Sequence, residues 1–338
     1  MITPKERLER AMKQESVDRP PCICPGGMMN MITTGLMDNI GVYLPEAHHD
    51  PMKMAMLAKE AYHSGCFENY GVPFCMTVEA ESMGAKVDFG SKVHEPHVIE
   101  YLIDSVEQWK QLPKLQLDQG RVATVLESIR ILKSENGNVP IIGNLTGPIS
   151  VASSLIEPVV FYKELRKKNE AAHEYMEFIT DQLIAFGKAQ IEAGADVIAI
   201  SDPSGTGELL GPKYFKEFAV TYINRLLDAF DKEKAKTIVH ICGHMNSVYK
   251  QVNEIQSNAL SFDSVVSMKE AREQLENRVL MGNVTTYALE FGEPEKIRTL
   301  TKHCVKNGAN IISPACGLGM KSPLQNVQAM LQSLQERE

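Results

Sequence analysis

The chain has 338 residues, is 43% hydrophobic and carries a formal net charge of -8. It can bury a substantial core and exceeds the roughly 250 residues of a plain α/β barrel without demanding a second domain. Its acidic balance, with basic residues scattered along helical stretches, argues against nucleic acid as a partner. No run approaches the roughly 18 apolar residues that a membrane span requires.

Residues 1–10 form a charged helical start, unlike a signal peptide, so a cytoplasmic protein is expected. Short apolar, β-branched runs then recur, each followed by a polar or Gly/Pro loop and a long amphipathic segment. Runs of this kind begin near Cys22, Asn69, Pro140, Asp196, Thr237, Leu260, Val279 and Asn310. Eight such runs alternating with helical segments predict a closed (β/α)8 TIM barrel of α/β class, with residues 1–338 as one barrel domain. Residues 4–14 add an N-terminal helical extension. Residues 86–103, with KVDFG and HVIEYLI around a polar turn, predict an antiparallel β-hairpin inserted on the barrel. Helices are expected over 51–64, 121–134, 158–194, 212–231, 268–277 and 322–338 from apolar residues at three-to-four spacing. Gly194 and Gly308 each stop a helix just before a strand.

In such a barrel the residues after each strand line the C-terminal face, where the chemistry is kept. Here they are NLTGP at 144–148, SDPSGTG at 201–207, HICGHMN at 240–246, Asp263, GNV at 282–284 and PACGLG at 314–319. His240 and Cys242 are two apart at a strand end, so their side chains leave on one face. Barrel closure brings Cys316, at the end of the last strand, over the same mouth. One imidazole and two thiolates make three of the four positions of a tetrahedral zinc site, leaving one open for water or substrate. Two thiolates select zinc over magnesium or calcium. Such a site can hold a substrate thiol as thiolate at neutral pH.

The seven cysteines are odd in number and spread through the chain, which argues for reduced thiols over a disulfide framework. His244 lies across Gly243 from the pair and reads as a residue that orients a ligand or meets substrate. Cys22 and Cys24 repeat the two-residue spacing, but with Cys66, Cys75 and Cys304 they read as buried small hydrophobes. Asp202 either orients a ligand, positions the acceptor or takes a proton from an incoming thiol, or else caps a helix or turn. Glu79 or Glu81 either fills the open metal position or anchors the hairpin or surface. Asn144, Thr146 and Asn283 can bind an acceptor's polar tail or satisfy backbone groups. Gly205 and Gly317 suit the close approach of a large flat ligand, and equally suit tight turns.

HICGHMN, VIAISDP, the GNV turn and SPACGLGMKSPLQNV together resemble the methylcobamide:coenzyme M methyltransferases of the uroporphyrinogen decarboxylase superfamily. The opening TPKERLERAMKQESVDRPP resembles the superfamily's start, while LPEAHHDP and GVPFCMTVEAESMG resemble the methyltransferase branch. The resemblance implies a barrel fold, zinc held by His240, Cys242 and Cys316, and methyl transfer from a methylcorrinoid to a thiol such as coenzyme M. It further implies a small corrinoid protein as partner. Decarboxylases of the superfamily carry an arginine motif after the first strand, where this chain reads CPGGMMN, so porphyrinogen decarboxylation is disfavoured. Relatives that use tetrahydrofolate lack the zinc ligands, so the triad argues for a thiol acceptor. Lys321 is the nearby basic residue available to a sulfonate tail.

Overall fold

The computed structural model of the protein describes residues 2–135 and 137–336. Its centre is a parallel sheet of six strands. They are β1 (Tyr70–Val72), β4 (Ile141–Thr146), β5 (Val197–Ser201), β6 (Lys236–Ile241), β7 (Ala259–Phe262) and β8 (Leu280–Met281), hydrogen-bonded in that order. Residues 22–24 and 311–314 close the ring. Met281 bridges Ile311 and Val284 bridges Pro314, while Ile312 in turn bridges Cys22, all in parallel. The last gap, from residues 22–24 to β1, is sealed by one backbone bond and by side chains. Glu68 N donates to Cys22 O, and Asn69 both accepts from Cys24 N and donates to Cys24 O. All eight expected strand positions therefore join one barrel, and every residue of β4 and β5 is buried, as strands covered on both faces should be.

The insertion is also present: β2 (Lys86–Asp88) pairs antiparallel with β3 (His97–Glu100), its tip closed by a bridge between Ser91 and His94. Lys92 pairs with Asp38 at 2.6 Å, and Phe89 packs on His49 with ring centroids 4.5 Å apart. The hairpin is thus pinned against the segment that follows the first barrel strand.

The N-terminal helix Pro4–Met12 starts where Thr3 accepts a bond from Glu6 N and Pro4 suits the first turn. Two long helices expected as continuous are broken. The segment 158–194 divides into Pro158–Lys167 and Asn169–Ala193, because Lys168 leaves helical geometry and its Nζ binds Ser105, Glu107 and Glu164. No glycine or proline marks that break, so periodicity ran straight across it. The segment 212–231 begins earlier, with Gly207–Tyr214 kinked at Gly211 before Pro212, and continues through a π-helical stretch, Phe215–Val220, into Thr221–Asp231. Helices Thr34–Ile40, Val78–Ser82, Pro148–Leu155 and Thr286–Phe291 were not expected, while Pro294–Lys306 is the helix whose stop at Gly308 was expected without a start. The expected helix 322–338 is seen as Leu324–Gln335; residues 337 and 338, like Met1 at the other end, lie outside those described. Among the described residues, no helix is long and apolar enough to cross a membrane.

Candidate metal centre

β6 ends in the alternation that places His240 and Cys242 on one face, and the strand register sets their neighbours. His240 is paired with Ser201 of β5 on one side and Ser261 of β7 on the other. Because parallel partners at one level share a face, Ser261 Oγ lies 2.9 Å from His240 Nδ1. With the hydroxyl accepting the Nδ1 proton, the Nε2 lone pair would be free for an ion. Cys242 Sγ lies 3.3 Å from that nitrogen.

Cys316 arrives from the other side of the closure. Its Sγ, Cys242 Sγ and a ring nitrogen of His240 all lie within 4.8 Å of one another, close enough to share one ion. His240 is buried and the two cysteines are half-buried, so the donor atoms meet at the bottom of an open mouth. A hydrogen bond from Cys242, helped by His240, holds Cys316 well below the ordinary thiol range against its burial. The same bond and burial push Cys242 up, with the negative field of Asp263 adding to the effect. Glu95, from the hairpin, also feels this centre: burial and the Cys316 charge raise it to about 7. The residue as a whole is exposed, and it is not among the clustered donors.

The other rim residues are placed differently. Asp202 is 1% exposed, and its carboxylate accepts from Ile149 N, Ser150 N and Ser150 Oγ at 3.1, 2.8 and 2.6 Å. It caps the first turn of Pro148–Leu155, not the helix near Pro212, and burial raises it despite those bonds. Gly205 belongs to the same turn, where an added Cβ would lie 2.9 Å from Asp202 Cγ. Thr146 is bonded through its N and Oγ1 to Glu79, and through Oγ1 to Met76 O. That engagement, with burial, keeps Glu79 from the donor cluster; Glu81 pairs with Arg121. Asn144 Nδ2 donates to Pro25 O at 2.7 Å and Val72 O at 3.0 Å, tying the first two barrel strands together. Asn283 donates to Asp263 O and Val266 O, bracing the loop after β7. Gly317 follows Cys316, and an added Cβ would meet Met28 O at 2.7 Å.

His244 is exposed, and its backbone N, not its ring, makes the local contact, to Glu208 at 3.3 Å. The residue that orients His240 is instead Ser261. Its only trace in the sequence is its place two before Asp263 on an apolar run; the register that matters is not written there. Cys22, Cys24, Cys66, Cys75 and Cys304 are buried, as expected of small hydrophobes. Lys321 is exposed.

Residues 3–337 match the family described as uroporphyrinogen decarboxylase (URO-D). The chain belongs to the uroporphyrinogen decarboxylase family. Within it, the chain is 34% identical to the methylcobamide:CoM methyltransferase MtbA of Methanosarcina acetivorans, over 98% of this chain and 97% of that one. It is 31% identical to the methylcobamide:CoM methyltransferase MtaA of Methanosarcina barkeri, over 99% and 98%. A solved methyltransferase from Methanosarcina mazei, 32% identical, superposes with a TM-score of 0.91 over 99% of both chains. The barrel and the family expected from the residues are thus both found.

Proposed function

We propose that this chain, acting as one barrel domain, transfers a methyl group from a methylated corrinoid to a small thiol, with zinc held by His240, Cys242 and Cys316. The carrying observation is the donor set itself: one imidazole nitrogen and two thiol sulfurs converge at the mouth of the barrel. The names of the relatives, methylcobamide:CoM methyltransferases, agree with it. The two sulfurs suit a borderline-soft ion, and three protein ligands leave one position open. Bound there, zinc would supply thiol activation, lowering the acceptor's pKa so that its sulfur is nucleophilic at neutral pH.

The chain's own residues do the rest. Ser261 holds the imidazole in one tautomer, so His240 presents Nε2 without reorganisation. Cys242 and Cys316 stay half-buried, which admits the acceptor while limiting water. Asp202 fixes the turn at 202–205 and Asn144 the loop after the first strand, so both act on the shape of the mouth and not on the reacting atoms. Gly205 and Gly317, the latter beside Cys316, let the backbone pack closely on Asp202 and on Met28 O, while Thr146 and Asn283 brace the rim. In the transfer the acceptor gives up its proton, a sulfur–carbon bond forms, and the cobalt–carbon bond breaks with its electron pair left on cobalt. A macrocycle of that kind would be delivered by a small corrinoid protein in the cytoplasm.

The test is metal analysis followed by demethylation of methylcobalamin, read by absorbance, with coenzyme M, homocysteine and tetrahydrofolate as acceptors. One zinc per chain and turnover with a thiol are expected. A zinc-free protein active with tetrahydrofolate would sink the proposal.

A further inference from the structure

Leu209, Val265, Tyr287 and Phe291 have no part in the reading above, yet they are 50, 50, 73 and 67% exposed. All four stand on segments that follow a barrel strand: Leu209 after β5, Val265 after β7, and Tyr287 and Phe291 on the short helix after β8. That is the face on which the donors open. Tyr287 and Phe291 lean on each other with ring centroids 5.0 Å apart, so the pair forms an aromatic ridge in solvent.

Each of these side chains is tied to a loop that carries or faces a donor. Glu208, next to Leu209, packs on Gly243, the residue after Cys242, and accepts a bond from His244 N at 3.3 Å. Val265 N donates to Asp263, whose negative field reaches Cys242. The helix of Tyr287 presses Glu290 on Gly319, three residues after Cys316, and Val284, just before that helix, bridges Pro314. The exposed apolar groups therefore border the loops of Cys242 and Cys316 along one arc of the rim, from β5 to β8.

We propose that this arc seats the corrin macrocycle of the methyl donor, gripping its apolar edge while the cobalt lies over the donors; this rests on the methyl-transfer reading above. Charge argues for the same occupant. In methylcob(III)amide the cobalt and its corrin ring together are cationic, and carboxylates act on the donors: Asp263 on Cys242, and Glu95 of the hairpin together with Cys316. A second copy of this chain, with its net charge of -8, would instead meet like charge. Methyl transfer discharges the attraction. The thiolate's electron pair forms the sulfur–carbon bond, the cobalt–carbon pair stays on cobalt, and the cobalt–corrin unit of cob(I)amide is neutral. The seat thus holds the methylated macrocycle more tightly than the demethylated one, and the spent macrocycle leaves a rim to which only its apolar edge still binds.

Equilibrium dialysis of the zinc-loaded protein against methylcobalamin, with no thiol present, tests this without turnover. Val265→Ser combined with Tyr287→Ser should raise the Kd roughly tenfold, and Leu209→Ser or Phe291→Ser about threefold each, with zinc content unchanged. Glu95→Gln should raise it about threefold and flatten its salt dependence. Tyr287→Phe, which keeps the ring, should restore the wild-type Kd. A Kd in the double variant equal to that of the wild type overturns the seat, as does a wild type that does not bind methylcobalamin. A wild-type dimer in sedimentation that Tyr287→Ser splits while the Kd holds would give the ridge to a second copy and overturn it too. Wild-type binding of methylcobalamin without methyl transfer to any thiol would instead overturn the proposed function, so the two failures are told apart.

Discussion

The two halves of the barrel mouth use polar residues in opposite ways. On the β4–β5 side most polar groups have been spent: Asp202 on the turn at 149–150, Thr146 on Glu79, and the Asn144 Nδ2 on two backbone carbonyls, with Asn144 Oδ1 left buried and unpartnered. On the side of β6 and the closing strand, His240 Nε2 and the two thiols face one another, with the Met28 thioether 3.5 Å from Cys316 Sγ. A crowded polar rim is therefore not itself a site. Chemistry resides where donors are brought together and left incompletely partnered, while saturated groups give the mouth its shape.

Several experiments can break or sharpen this contrast. The largest effect is expected at the donors: His240→Ala or Cys316→Ala should lose the metal. Methyl transfer should then fall by roughly three orders of magnitude, about 4 kcal/mol of transition-state stabilisation, as followed by methylcobalamin absorbance. Ser261→Ala keeps the donors but frees the ring. Its zinc affinity should drop by about 10–100-fold in a competitive chelator titration, and an unchanged affinity would show that the ring needs no anchor.

On the saturated side, Asp202→Ala should cost about 3 kcal/mol in denaturant unfolding, since it strands the donors at Ile149 and Ser150, while zinc content stays at wild-type level. Loss of zinc in that variant would erase the distinction between the halves. Asn283→Ala should cost about 1–2 kcal/mol by freeing two carbonyls of the 263–266 loop, again with zinc retained. The smallest change should follow removal of zinc by a strong chelator. The barrel is held by strand pairing and a buried apolar core, so far-UV circular dichroism should be preserved and the Tm should fall by no more than about 2–4 °C.

How much of this was legible depends on the range of the interactions. The eight strands announced themselves as apolar runs, and His240 with Cys242 followed from strand alternation alone. The break at Lys168 was hidden, because a distant cluster of Ser105 and Glu107 pulls the lysine out of a helix whose period continues, whereas the kink at Gly211 falls just before Pro212, where a helix was expected to start. Asp202 was legible as a rim residue but not as the cap of Pro148–Leu155, a helix that was itself unexpected.

By itself the sequence determined the alternation of strand and helix, the face on which His240 and Cys242 emerge, and the family to which the chain belongs. Those are consequences of local periodicity and short motifs. Only the tertiary structure decided that Ser261 stands level with His240 and that Met28 faces Cys316. Each of those depends on strand register or barrel closure, contacts between residues far apart in the chain that no local pattern encodes.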